Sequence, residues 1–217
     1  MSMTDYERYV NRFANEYGIS VDEAEKYAVV KNVKNTMKLV NAMNPRYLVD
    51  GQKRRINMKI IIEGVDGSGK TTLAKILAER YGLDVVHCTQ HDAADYDFYR
   101  QTLRKENVVW DRHTLGELIY PKVFYREPCI GAEDARLILH YAKQEGVVIL
   151  VLTADMPTLL ERLNKRTPKE HWRIMDNLGY IDNKFKFYAN EFHLPVIDTS
   201  KMTLQQIFDL IEKRQVA

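Results

Sequence analysis

Gly64-Val65-Asp66-Gly67-Ser68-Gly69-Lys70-Thr71 matches the pattern G-x-x-x-x-G-K-[ST] at every specified position. Glycines at these places let backbone N–H groups turn inward around a polyphosphate, the lysine reaches its terminal phosphates, and the threonine hydroxyl can ligate Mg2+. The flanks agree with this reading. Met58-Lys59-Ile60-Ile61-Ile62 is a short apolar run suited to a buried parallel strand. Leu73, Ile76 and Leu77 then recur at helical spacing, so a helix should follow, its N-terminal dipole adding to anion binding. Gly64, Asp66, Gly67, Ser68, Gly69, Lys70, Thr71 and Thr72 are therefore the candidate binding segment for a nucleoside triphosphate.

Working outward, apolar strands alternate with helical stretches. Strands are expected near 59–63, 84–88, 107–111, 147–153 and 194–198, and helices near 70–81, 95–105, 114–125, 132–144, 156–166, 172–191 and 203–214. Such alternation means a parallel sheet with helices on both faces, and ligands sit beyond the carboxyl ends of its strands. The expected architecture is α/β: a P-loop NTPase three-layer fold with a five-stranded parallel sheet, preceded by a small helical appendage.

That rule directs attention to the strand ends. The third strand, Asn107-Val108-Val109-Trp110, runs into Asp111-Arg112-His113. A carboxylate beside the phosphate loop can hold Mg2+ or accept a proton, and the arginine can make a forked phosphate contact. The alternative is a helix cap at Asp111 and a surface ion pair at Arg112; the adjoining loop motif favours function. The fourth strand leads into Asp155-Met156-Pro157, a helix start, and then to Arg162 and Arg166 on one helical face. Lys165, Lys169, His171 and Arg173 extend this cationic stretch, either as a solvated helix end or as a lid closing over phosphates. Between these strands, Leu115 to Arg126 should wall an acceptor pocket. There Glu117 and Arg126 can reach sugar or phosphate, while Tyr120 and Phe124 either stack on a base or pack in the core. His87, Cys88, His91 and Asp92 fit no zinc spacing and read as a loop.

At 217 residues, 45% hydrophobic and 29% charged, the chain suits one domain with an appendage: a helical segment 1–57 and a body 58–217 that holds the phosphate loop. The net charge of +2 argues against a nucleic-acid coat. Cys88 and Cys129 lack CxxC spacing, and neither a signal peptide nor a membrane-spanning run is visible, so the cytoplasm is the expected compartment. In the appendage, Tyr6, Tyr9, Val10, Phe13 and Tyr17 share a helical face, and Ser20 with Glu23 forms a capping box for a second helix reaching Val40. Asn44-Pro45 and Asp50-Gly51 mark turns. These helices should pack on the body or on a second subunit, making a homodimer. From Lys26 to Lys59 nine basic residues face one acidic residue, Asp50, a stripe that could contact DNA phosphates.

Several motifs together resemble a known family. Ile62 to Thr72 looks like the phosphate loop of thymidylate kinases, including its acidic residue Asp66. Asp111-Arg112-His113 is similar to the Asp-Arg motif of thymidylate and deoxynucleoside kinases, and Gly116-Glu117, Tyr120-Pro121 and Arg126 are similar to a stretch of compact, bacteriophage-type relatives. The resemblance covers 58–217 and implies transfer of the γ-phosphoryl of ATP to a deoxynucleoside monophosphate, in the host cytoplasm if the chain is of phage type. It implies that Lys70 and Thr71 serve ATP and Mg2+ and that Asp111 assists the metal. Asp66 would approach the acceptor sugar and Arg112 clamp the acceptor phosphate, with Glu117, Tyr120 and Arg126 on the acceptor side. Arg162 and Arg166 would be lid arginines. The stretch before Asp111 is shorter than in longer thymidylate kinases, leaving Arg100 as a substitute for acceptor-binding residues there. The implied acceptor is dTMP or a modified pyrimidine nucleotide such as 5-hydroxymethyl-dUMP; the alternatives are a deoxynucleoside or 5-hydroxymethyluracil in DNA. A helix-turn-helix reading of the appendage is disfavoured by Asp22, Glu23 and Glu25, which would repel DNA. A GTPase is disfavoured because Asn164-Lys165-Arg166-Thr167 lacks the acidic residue that reads guanine.

Overall fold

The computed structural model describes residues 48–49, 52–53, 57–88, 95–165 and 171–215. The helices expected before Val40, most of the basic stripe, His91, Asp92, Arg166 and Lys169 lie outside the described residues. The chain divides into two units, Met1–Arg54 and Arg55–Ala217. In the first, strands β1 (Leu48–Val49) and β2 (Gln52–Lys53) flank Asp50-Gly51 and pair antiparallel, Leu48 opposite Lys53. Asp-Gly between paired strands is a strong short-range hairpin signal.

The second unit is built on β3 (Lys59–Gly64), β4 (Asp84–His87), β5 (Val108–Asp111), β6 (Val148–Thr153) and β7 (Val196–Asp198). They form one parallel sheet in the order β4-β5-β3-β6-β7. Helices α1 (Lys70–Tyr81), α2 (Tyr96–Thr102), α3 (Gly116–Phe124) and α4 (Ala132–Gln144) connect the first four strands. Next come α5 (Met156–Asn164), α6 (His171–Asp176), α7 (Leu178–Glu191) and, after β7, α8 (Leu204–Gln215).

Strand side chains alternate between faces, and in β3, β5 and β6 both faces are buried. Ile61, Trp110, Ile149 and Val151 pack against α2, α3, α4, α5 and α7 through Tyr99, Ile119, Ile138, Leu159 and Phe185. Their neighbours Ile60, Ile62, Val109, Val148, Leu150 and Leu152 pack against α1 and α8 through Leu73, Leu77, Ile207 and Phe208. Burial on both faces is why these strands read as unbroken apolar runs. The chain leaves β3 for one edge, returns with β5, then crosses to β6 on the other side. The strand order therefore reverses at β3, and its carboxyl end is the switch point where ligands collect.

Asp155 caps α5, accepting from the Thr158 N–H at 2.8 Å with Pro157 in the first turn, as its sequence suggests. The helix expected over 172–191 is two helices. Asn177 sits between them with φ −108° and ψ 9°. Its side chain donates to the Arg173 carbonyl at 2.8 Å, a local bond that competes with helix propagation.

Candidate active site

The phosphate loop joins β3 to α1, and its glycines are required by space and by backbone angle. Gly64 has φ +136°, and a Cβ there would lie 2.0 Å from the Leu152 carbonyl oxygen on β6. Gly64→Ala is expected to cost more than about 4 kcal/mol of stability, read by urea denaturation, because neither the angle nor the neighbouring strand can yield. Gly69, at φ +93°, caps α1 in the left-handed region. Lys70 is buried and donates from Nζ to the Val65 carbonyl at 2.9 Å. Burial lowers its ammonium to about 8, against the attraction of Asp66, Asp111 and Glu63. Ser68 Oγ is buried without a hydrogen-bond partner. The exposed Thr72 opens α1 beside Thr71.

The ends of β4 and β5 converge beside it. Thr71 Oγ1 donates to Asp111 Oδ2 at 2.6 Å, and His87 Nδ1 lies 3.0 Å from the same oxygen. Asp111 Oδ1 is buried and has no partner. Asp111 therefore does not cap α3, whose start at Leu115 has no side-chain cap. Arg112, at φ +74°, turns back over the loop and donates from Nη2 to Asp66 Oδ1 at 2.6 Å. Tyr120 donates its hydroxyl to Asp66 Oδ2 at 2.5 Å. Burial, then the Asp66 carboxylate, hold that phenol well above its usual range, so it remains a donor. Its ring meanwhile packs on Phe124 and Phe185, so Tyr120 serves both the core and the site. Glu117 and Arg126 form a two-pronged ion pair, with contacts of 2.8 and 2.5 Å.

Asp66, His87, Arg112, Glu117, Tyr120 and Arg126 line a cavity of about 730 Å³ whose wall also includes Cys88, Tyr99, Trp172 and Arg173. Arg126 and Glu117 are thus brought together with Asp66, Arg112 and Tyr120. Arg162 is placed differently from the others. Its guanidinium donates to the Gly67 carbonyl at 3.2 Å and to Thr199 Oγ1 at 2.9 Å, on the carbonyl side of the loop. Arg100, on α2, lies over the Tyr141 ring and does not line the cavity.

The sequence assigned no role to Glu63, His113 or Thr199, and it read His87 as part of a loop, whereas His87 ends β4. Glu63, at the end of β3, accepts from the His113 and Leu115 N–H groups at 3.0 and 2.7 Å through Oε1, while Oε2 has no partner. The carboxylate holds the Asp-Arg-His turn against the loop. Desolvation raises it to about 7. The folded protein thus binds a proton that the unfolded chain releases between about pH 4.5 and 7, so stability falls as pH rises through that window. Glu63→Gln keeps the accepting oxygen and should remove this slope. Relative to the wild type it should gain on the order of 2 kcal/mol between pH 5 and 8, read by paired denaturation curves. His113 is buried, its rings' neighbours are Tyr99 and Trp110, and desolvation lowers it to about 3, so it is neutral. Thr102 Oγ1 donates to the Tyr99 carbonyl, leaving it to accept from His113 Nε2 at 2.8 Å. The only sequence signal for Glu63 was a carboxylate at the end of an apolar strand.

No family model matches the chain. A probable thymidylate kinase of Methanocaldococcus jannaschii is 27% identical over 186 residues, 71% of this chain and 94% of the relative. Cytidylate kinase 2 of Borreliella afzelii is 33% identical over 175 residues, again 71% and 94%. Among solved structures, the Bacillus subtilis YorR protein in complex with phosphorylated GDP superposes with a TM-score of 0.61 at 18% identity, covering 74% of this chain and 99% of that one. Deoxyadenosine kinase from M. mycoides follows at 0.51 and 18%, covering 74% and 100%. A phosphate loop at the switch point of this sheet, with Asp66 in the wall of the neighbouring cavity, is the arrangement of a P-loop kinase. The chain belongs to the thymidylate kinase-like nucleotide kinases, enzymes that take their phosphoryl group from ATP. Among the described residues no helix is long and apolar enough to cross a membrane.

Proposed function

We propose that this kinase phosphorylates a pyrimidine deoxynucleoside 5′-monophosphate, dTMP or a 5-substituted relative such as 5-hydroxymethyl-dUMP. The observation that carries this reading is Arg112. It is a half-buried cation in the cavity wall, paired to Asp66 through Nη2, and its Nε lacks a partner. A phosphate dianion offers that group a charge-assisted acceptor, a stronger partner than a neutral hydroxyl. The pyrimidine preference is supported by the thymidylate and cytidylate kinase relatives.

In the reaction, an oxygen of the acceptor phosphate attacks the γ-phosphorus of ATP. The bond from that phosphorus to the β,γ-bridging oxygen breaks, leaving ADP. The attacking oxygen is already anionic, so no general base is needed; the demand is for charge neutralisation and alignment. Lys70 and the loop N–H groups answer it on the donor side, and Arg112 on the acceptor side. Asp66 orients Arg112, and with Tyr120 it stands where the acceptor sugar enters. Glu117 and Arg126 would flank the base. Mg2+ would be held by Thr71 and Asp111, whose buried free oxygen suits a hard cation that keeps most of its waters, and when bound it would neutralise charge on the transferring phosphates. Arg166 joins as a lid arginine, and residues 1–57 serve as an accessory segment.

A second reading is favoured by the basic stripe from Lys26 to Lys59: a kinase acting on 5-hydroxymethyluracil in DNA, or on a free deoxynucleoside. The deciding experiment is an ATP-consumption screen over nucleosides, deoxynucleoside monophosphates and hydroxymethyluracil DNA. Turnover with a pyrimidine monophosphate supports the proposal. Turnover confined to nucleosides or DNA replaces it with the second reading.

A further inference from the structure

The carbonyl side of the phosphate loop carries contacts that the chemistry above does not use. Thr199 follows β7 directly, and its Oγ1 meets three groups. It accepts from Arg162 Nη1 at 2.9 Å and lies 2.9 Å from the Ser68 carbonyl and 3.1 Å from the Thr153 carbonyl. A hydroxyl has one proton, so it shares that proton between the two carbonyls while the guanidinium binds its lone pair. Arg162 Nη1 also donates to the Gly67 carbonyl at 3.2 Å. Two successive carbonyls of the loop, Gly67 and Ser68, are thus held from behind by one arginine and one threonine.

In a trans peptide the C=O and the following N–H point in opposite directions. Holding the Ser68 carbonyl toward Thr199 therefore points the Gly69 N–H away from it. The Ser68 N–H is itself occupied by the Val65 carbonyl at 3.2 Å, closing the turn. The positive charge of Arg162 behind these peptides further polarises them toward an anion in front. Thr199 is anchored in turn: its N–H donates to the Thr153 carbonyl at 2.8 Å, and Thr153 Oγ1 donates to the buried Asp182 on α7 at 2.5 Å. The loop is braced against β6, β7 and α7, at a distance in sequence from its own flanks.

We propose that Thr199 is a positioning residue for phosphoryl transfer: its hydroxyl relays Arg162 onto the back of the phosphate loop and so aims the Gly69 N–H at the phosphates of the donor. Arg162 acts through the loop rather than at the transferring phosphate.

The test measures ATP binding with Mg2+ by calorimetry, which needs no knowledge of the acceptor and so separates this proposal from the acceptor assignment. Thr199→Val, which keeps the shape and loses the hydroxyl, should weaken ATP binding about tenfold. Thr199→Ser should restore it to within about twofold, with all variants melting within a few degrees of the wild type. Arg162→Met, on a partly exposed side chain, should weaken ATP binding by a similar factor. The double variant Thr199→Val with Arg162→Met should be no weaker than the worse single one, because the two act in series. Wild-type ATP affinity in Arg162→Met overturns the proposal, even if Thr199→Val does not fold. So does failure of serine to rescue, or full additivity in the double variant.

Discussion

Lys70→Ala is expected to reduce turnover about a thousandfold while the protein melts at or above the wild-type temperature. In the proposed reaction the ammonium serves the transferring phosphates, and deleting a single preorganised donor at such a place typically costs two to three orders of magnitude. The expectation for stability follows from its burial. Water is withheld from this ammonium, which is why it sits near 8 rather than 10.5, and the neighbouring carboxylates only partly offset that cost. Below about pH 8 the folded protein carries the charge at that cost; between about 8 and 10.5 the folded state releases a proton that the unfolded chain retains, so wild-type stability should rise with pH there. The alanine variant should lose this rise. Single-turnover kinetics together with melting curves at pH 7 and 10 check both parts. Near-normal turnover in a folded Lys70→Ala protein would refute the phosphate-loop mechanism.

Asp111→Asn should lower turnover about a hundredfold and raise the Mg2+ concentration needed for half-maximal rate, with metal-free ATP binding unchanged within a few-fold. Asparagine keeps an oxygen for the Thr71 hydroxyl, 2.6 Å away, so the local geometry survives. What is lost is the negative charge a hard cation requires. A variant that merely melts earlier, with its Mg2+ dependence intact, would make Asp111 a strut between α1 and β5 and nothing more.

The two predictions draw on different kinds of legibility. Lys70 was legible from eight consecutive residues, because a phosphate loop is a local object: its glycines, lysine and threonine act through backbone angles set within the segment. Asp111 was legible as a residue after an apolar strand, but its partner was not. The sheet order β4-β5-β3-β6-β7 sets Asp111 beside Ile62 and brings it to Thr71 and His87. Arg162 shows the reverse case. Its spacing with Arg166 suggested a lid, yet its guanidinium lies on the Gly67 carbonyl and on Thr199. The break at Asn177 was hidden for a simpler reason: apolar periodicity continued through it, and one side-chain bond to the backbone decided the outcome.

The sequence by itself determined the phosphate loop, the alternation of strands and helices, and hence a parallel sheet with its ligands at the strand ends. Those follow from short-range rules of backbone conformation and from apolar periodicity. Only the tertiary structure decided which strand ends meet, that Glu63 would hold the turn carrying Arg112 and His113, that Tyr120 would close on Asp66, and that Thr199 would brace the loop from behind. Each of these is a pairing of buried polar groups, and such groups are satisfied by whatever the folded sheet brings within hydrogen-bonding distance, a matter of strand order that no local stretch of this chain encodes.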